Sequence, residues 1–312
     1  MRPCCCVNVR VQYSSWVIHV QGQVVQFKPP LKASSSSILS LKRFRLSSII
    51  TAISLLAGCL ASAPINPSIS QPSELQNVDS APQQQSDWEQ LAPGLERRYY
   101  HPGSNYGLTS FLALRVDPNY FYFRIHYSPA NSLTLNQWRT QLQDSAGFIN
   151  ANFFDTQGYA LGLLVSDGNA YGASFSGFGG MFQVAPDGFT RVRSLIYEPY
   201  QGEALQQAAQ AFPMLIVNGE PNYERTDGDR ASRRTIIGQD STGRIILMVT
   251  NGLFGMRLAD LSAYLYSTDL DLRAALNLDG GGSTLLSLQT GASIMVPSFD
   301  AVPAVIAFYP RQ

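Results

Sequence analysis

The chain is 312 residues long, 45% of them hydrophobic, with a formal net charge of zero, but that balance is not uniform. From Cys59 onward there is no lysine, and 15 arginines face 22 acidic residues, a net charge of −7. The excess of acid excludes non-specific nucleic-acid binding, which needs a basic face.

The chain opens with residues 1–41, which carry no targeting pattern and read as an N-terminal extension created by a start assigned too early. Residues 42–63 read KRFRLSSIITAISLLAGCLASA. Lys42, Arg43 and Arg45 form a basic start, and the apolar core Leu46–Leu56 is too short to cross a bilayer as a helix, which takes about 20 residues. The pattern fits a secretory signal. Ala57 and Gly58 before Cys59 resemble the bacterial lipoprotein box, in which the cysteine is lipidated and becomes the first mature residue. A plain secretory signal cut after Ala63 would leave Pro64 first, a poor cleavage context. The expectation is a signal peptide over 42–58, a lipid anchor at Cys59 and a place in the cell envelope. Leu60, where an aspartate would favour the inner membrane, points to the outer membrane, at its periplasmic face or surface, where the cell has one.

Residues 59–87 are rich in Ser, Pro, Gln and Asn and read as a flexible tether. The globular part, 88–312, is long enough for one large domain with a real core. The alternating runs YGLTSFLALRVD (106–117) and YFYFRIHYS (120–128), split by Asp-Pro-Asn, predict paired strands. Leu135, Trp138 and Leu142 at helical spacing, with Thr134 as N-cap, predict a helix. GFINANFFD (147–155) predicts a buried strand, and two strand–turn–strand units follow through LGLLVSDGNAYG and GGMFQVAPDGFTRV. GEALQQAAQ (202–210) reads as a short helix. FPMLIVNGE, RIILMVTNG and VPAVIAFYP read as buried strands, and RLADLSAYLYS (257–267) as an amphipathic helix. The predicted fold class is α+β, or mixed α/β: a large mixed β-sheet core with a few flanking helices in a single globular domain.

Four buried strands end in polar tips, three of them glycine-bearing: NANFFD, VNGE, TNG and NLDGGGST. Ligands gather where strand ends and loops meet, so Asn152, Asp155, Asn218, Glu220, Asn251, Asp279 and Ser283 become candidates. Each pair Asn-Gly or Asp-Gly is also an ordinary turn on steric grounds; four such tips together carry the argument. In ALNLDGGGSTLL (275–286), three glycines let the backbone turn sharply and approach a ligand closely, and their N–H groups can form an anion nest. Asp279 then stands at the rim of a glycine-lined pocket. No lysine follows, so this is not a phosphate-binding P-loop. DGDRASRRTIIG (227–238) clusters Arg230, Arg233 and Arg234; the guanidinium fork suits phosphate or carboxylate, and Arg234, next to the apolar strand, is the one expected to enter a pocket. No histidine lies beyond His126 and no cysteine beyond Cys59, which rules out a compact Ser-His or Cys-His pair in this region. Carboxylates remain, and a carboxylate pair suffices for glycosyl chemistry.

NANFFD, AFPMLIVNGE, RRTIIG, GMRLADLSAYL and NLDGGGST occur in the same order as in the phosphodiester glycosidase family, which the chain resembles over about residues 147–309. The resemblance implies cleavage of a sugar from a phosphodiester, leaving a phosphomonoester, with bacterial members tied to exopolysaccharide or envelope glycans. It implies that Arg234 binds phosphate, that Asp279 is the essential carboxylate, that Gly280, Gly281 and Ser283 shape the loop around the sugar-phosphate, and that Asn152 and Asp155 line the opposite wall. Glu220 or Asp155 would complete the acid and base. Asn251-Gly252-Leu253 departs from the Asp-Gly-Arg of many relatives and removes a charge pair from the expected pocket. The expected partner is a carbohydrate or sugar-phosphate. No cofactor is required; Asp279 with neighbouring carbonyls could hold Ca²⁺ or Mg²⁺, but no ligand spacing demands it. The rival expectations are a non-catalytic lipoprotein that binds an anionic envelope glycan in the same pocket, and a structural lipoprotein whose tips are plain turns.

Overall fold

A computed structural model of the protein describes residues 16–20, 23–27 and 87–311. Strands β1 (Trp16–Val20) and β2 (Gln23–Phe27) form a two-stranded sheet of their own. The signal at 42–58, the lipidation site Cys59 and most of the tether lie outside the described residues.

From Asp87 the elements run β3 (Glu89–Ala92), β4 (Leu95–Tyr100), β5 (Phe111–Val116), β6 (Phe121–Tyr127), α1 (Leu135–Gln141) and β7 (Gly147–Asn150). Next come β8 (Leu164–Ser166), β9 (Asn169–Tyr171), β10 (Gly180–Val184), β11 (Thr190–Ser194), β12 (Gln207–Ala211), β13 (Met214–Val217) and β14 (Glu220–Pro221). The chain ends with β15 (Thr235–Asp240), β16 (Ile245–Thr250), α2 (Leu258–Ser267), β17 (Leu272–Asn277), β18 (Leu286–Leu288), β19 (Ile294–Val296) and β20 (Ala304–Pro310). An eight-stranded sheet has the order β14-β13-β17-β15-β16-β5-β4-β3; a five-stranded sheet has β19-β18-β7-β20-β6; a second has β11-β10-β12-β8-β9.

The core forms because each sheet has one apolar face to remove from water. One buried cluster draws Leu114, Ile237 and Leu247 from the large sheet, Ile149, Ile306 and Phe308 from the second, and Phe182, Leu164 and Ala209 from the third. Helix α2 closes the other face of the large sheet, Leu261 and Leu265 packing on Ile236, Ile246 and Met248. Helix α1 packs Trp138 and Leu142 on Phe148 and Val305, and the Trp138 indole donates to the Val302 carbonyl at 3.0 Å. Its start is as expected: Thr134 and Gln137 form a reciprocal capping box, satisfying donors the first turn would otherwise leave open.

The structure corrects three expectations. The sheets are not mixed: every pairing in these three sheets is antiparallel. Strands dominate and two α-helices flank them, so α+β describes the fold coarsely. β5 and β6 do not pair with each other; β5 lies between β4 and β16, and β6 pairs with β20. The Asp117-Pro118-Asn119 turn, held by Asp117 Oδ1 on the Asn119 N–H at 2.8 Å, sends the chain from one sheet to another. The segment read as a helix at 202–210 contributes strand β12 instead. Its Gln207 and Gln210 are buried, and their amides tie adjacent backbone: Gln207 Oε1 accepts from Ile125 N at 3.0 Å, and Gln210 Oε1 from Phe175 N at 2.8 Å. Tertiary hydrogen bonding overrides the helix propensity of Ala and Gln.

Candidate active site

Antiparallel order decides which strand tips meet. β15 runs against both of its neighbours, Thr235 opposite Val249 and Ile236 opposite Asn277. The start of β15 therefore lies beside the ends of β16 and β17. Backbone bonds stitch them: Thr250 N to Arg234 O at 2.9 Å, Leu278 N to Thr235 O at 2.9 Å, and Gly281 N to Arg233 O at 2.8 Å. RRTIIG and NLDGGGST thus touch. The end of β7 joins them from the second sheet, with Asp279 N donating to Ala151 O at 3.2 Å.

Asn150 is the pin of this junction. It is 1% exposed; its Nδ2 donates to Asp279 O at 2.7 Å, and its Oδ1 accepts from Thr235 Oγ1 at 2.8 Å and Leu285 N at 3.1 Å. One buried amide spans both loops and both sheets.

Asp279 is 3% exposed. Oδ1 accepts the Gly280 N–H at 2.9 Å, the Ser283 hydroxyl bonds the carboxyl, and Oδ2 is buried without a partner of hydrogen-bonding geometry. Burial pushes its pKa up to about 7; the two hydrogen bonds oppose the shift, and the negative charge of Asp300 adds to it. The glycines have steric reasons to be there. Gly281 has φ +62, a left-handed conformation that disfavours side chains, and a Cβ on Gly280 would stand 2.7 Å from Arg233 O. All three glycines are half-buried, so the loop is not sealed in the core.

The two arginines divide differently from the expectation. Arg234 is turned to its own loop: Nε donates to Met256 O at 2.8 Å, and Nη2 to Arg230 O at 2.7 Å and Asp229 Oδ1 at 3.2 Å. That ion pair, with Asp229 almost wholly buried, makes Arg234 a clamp on residues 229–256. Arg233 is the poised one. It is 5% exposed, its guanidinium lies 4.9 Å from the Phe299 ring centroid, and Nη2 donates to Pro297 O at 3.0 Å. Nε and Nη1 are buried with no partner, and burial lowers its pKa. Buried unpaired donors on a cation are costly unless something anionic completes them.

The other candidates separate cleanly. Asn152 is buried at the junction, with Nδ2 on Phe153 O at 3.1 Å and Oδ1 without a partner. The adjoining Phe153 ring stacks on Phe212 at 4.6 Å, and Phe175 and Phe178 extend this half-buried aromatic wall. Asn251 lies at the same end; its N donates to Ser110 O and its carbonyl accepts from Ser110 Oγ, both at 2.8 Å. Ser283 is fully buried beside Asp279. Asp155 uses Oδ1 to hold its own turn, accepting from Gln157 N and Tyr159 N at 2.9 Å. Glu220 and Asn218 stand apart. β13 runs against β17, with Val217 opposite Ala274, so its tip points away from Asp279. Five residues of strand separate Ala274 from Asp279, roughly 16 Å at the usual strand rise. Asn218 and Gly219, at φ 53 and 83, make a tight two-residue hairpin turn, and Glu220 is exposed beyond it.

Sequence reasoning did not find Asn150, Arg233 or Asp300 as site residues. A polar residue inside the apolar run GFIN marks the first; nothing local marks Asp300. Among the described residues no group of three His, Cys, Asp or Glu side chains is placed to hold a metal ion. A surface hollow lined by Asp117, Phe189, Gln239, Arg244 and Arg311 lies among the turns at the opposite sheet end, and none of its lining side chains carries a buried unpartnered polar atom.

A family model described as phosphodiester glycosidase matches residues 144–309, more than half of the chain. Among solved structures, the chain is similar to the catalytic domain of zebrafish N-acetylglucosamine-1-phosphodiester alpha-N-acetylglucosaminidase auto-inhibited by its pro-peptide, at 23% identity and a TM-score of 0.57, covering 70% of this chain and 85% of that one. It is also similar to a hypothetical protein from Synechocystis, at 16% identity and a TM-score of 0.53, covering 70% of this chain and 63% of that one. No curated protein matches. At these identities the two structures speak for the fold, and the family model for the sequence. With Asp279 and its glycine loop inside the matched span, the chain belongs to the phosphodiester glycosidase family.

Proposed function

We propose that the chain hydrolyses a glycosyl phosphodiester, releasing the sugar and leaving a phosphomonoester. The observation that carries this reading is a glycine loop that carries a buried carboxyl, its pKa pushed up to about 7, and is bonded through its backbone to Arg233, whose buried guanidinium keeps two unpartnered donors. The open donors of the Arg233 guanidinium receive the phosphate oxygens, where charge grows as the sugar leaves. Asp279 protonates the departing oxygen. Asn152 Oδ1 and the phenylalanine wall suit a ligand with hydroxyl donors and an apolar ring face.

The cell envelope, or exopolysaccharide outside it, is the proposed setting, with Cys59 as lipid anchor. Support for that setting is the pattern of residues 42–63 alone. The purified chain should release sugar from chromogenic sugar-1-phosphodiesters. Glycan binding with no turnover would instead support the binding-protein reading.

The two arginines make a paired prediction. Arg233→Met should raise KM at least tenfold and change the melting midpoint little, because its open donors serve the ligand. Arg234→Met should cost about 3 kcal/mol of stability, since it strands Asp229 as a buried unpaired charge. Urea titration beside steady-state kinetics separates the two, and the reverse pattern would return the phosphate role to Arg234.

A further inference from the structure

Neither Asp155, holding its own turn, nor Glu220, at the far end of the sheet, serves Asp279 as a partner. A third carboxylate is placed to do so. Residues 297–301, between β19 and β20, are strapped to the glycine loop: Phe299 N and Asp300 N both donate to Gly282 O, at 2.7 and 3.0 Å. The Asp300 carboxylate covers the bare Cα of Gly282 so closely that a β-carbon there would collide with it. The same segment supplies both contacts to Arg233, the Pro297 carbonyl and the Phe299 ring. Asp300 is exposed, and its carboxylate makes no hydrogen bond or ion pair with another described residue. The nearby acid Asp229, by contrast, is committed to Arg234. Among the described residues, Asp300 is the one whose negative charge raises the pKa of Asp279.

We propose that Asp300 is the general base of the reaction, taking a proton from the water that attacks the anomeric carbon while Asp279 protonates the departing phosphate oxygen. The proposal rests on the glycosyl phosphodiester reading of the site. The step balances: the water oxygen forms a bond to the anomeric carbon as the bond from that carbon to the phosphate oxygen breaks. One proton passes from water to Asp300, one from Asp279 to the phosphate, and solvent restores both carboxyls. The two environments suit the division, an exposed carboxylate to receive a proton and a buried carboxyl to supply one. Gly282 then has a catalytic reason to lack a side chain, since it leaves the space that Asp300 occupies.

The test is Asp300→Asn and Asp300→Ala in the full chain, assayed on a sugar-1-phosphodiester that the unaltered protein cleaves. Asp300→Asn should lower kcat by about two to four orders of magnitude with KM changed less than threefold. It should also erase the acid-side limb of the kcat–pH profile, where protonation of the base stops the reaction. Sodium azide, a nucleophile that needs no base, should restore part of the rate to Asp300→Ala and yield glycosyl azide. A residue that merely braced the loop would produce neither effect. Near-normal kcat in Asp300→Asn, or an acid limb that survives, overturns the proposal. Unaltered protein silent on every sugar phosphodiester brings down the activity reading itself, and is told apart because variant and parent are then alike.

Discussion

Asp279→Asn yields a protein that is more stable at pH 8 than its parent and has lost its activity. The buried carboxyl keeps its proton to about pH 7, whereas the same group in the unfolded chain ionises near 3.8. Across that window the native state binds more protons than the unfolded state. The stabilisation is complete below the lower value and is lost as pH rises through the upper one. The full difference is worth roughly 4 kcal/mol. Asparagine removes the titration, keeps an oxygen for the Gly280 N–H, and has no charge to desolvate. The denaturant midpoint of Asp279→Asn minus that of the parent should grow steadily from pH 4 to 8, since every other titrating group, the buried His126 included, is common to both proteins and cancels. Activity moves the other way. Loss of the acid should reduce kcat by about two to four orders of magnitude, and kcat of the parent should decline above about pH 7 as the carboxyl ionises. Opposite effects on stability and rate are the mark of a group kept for chemistry. A variant that retains a tenth of kcat, or one whose stability still tracks pH as the parent's does, refutes the assignment.

What could be read from the sequence follows physical lines. The strands β13, β16 and β20 are largely continuous apolar runs, and Asp279-Gly-Gly-Gly between two buried segments has no cheap explanation other than a turn built for close approach. The contact of RRTIIG with NLDGGGST was inferable from shared character, and the Gly281–Arg233 backbone bond realises it. Strand direction was not inferable. VNGE looks like the other three tips, but β13 runs against β17 and carries Asn218 and Glu220 to the wrong end.

Register was hidden for the same reason. Adjacent residues on a strand point to opposite faces, so neither Arg233 nor Arg234 declares from sequence which one clamps a loop and which keeps open donors. Only the partners settle it, Asp229 and Met256 for one, Pro297 and Phe299 for the other. Asp300 depends on a loop from between two later strands folding over Gly282, a contact with no local signal. The helix expected at 202–210 failed where buried glutamine amides found backbone partners in neighbouring strands.

Asn150→Ala should damage the fold and the site together. Three buried groups lose their partner: the Asp279 carbonyl, the Thr235 hydroxyl and the Leu285 N–H. Each orphaned group costs on the order of 1 to 3 kcal/mol, so the loss should reach at least about 3 kcal/mol, in the upper range for a point change. Because Asn150 joins the start of β15 to the glycine loop, its removal also frees Asp279 from its setting relative to Arg233. A shift of about 1 Å there can cost a hundredfold in rate, so the folded fraction should be slow as well as scarce. Asn150→Asp separates geometry from mere volume. At neutral pH its carboxylate faces the Asp279 carbonyl and cannot donate to it, so the variant should be as weak as Asn150→Ala. Protonation at low pH restores a donor, and its stability relative to Asn150→Ala should rise as pH falls. Urea midpoints of both variants at pH 4.5 and 7.5 read this directly. If Asn150→Ala loses less than about 1 kcal/mol and keeps its kcat, the two loops are held in place by packing, and the site owes its geometry to the apolar core beneath it.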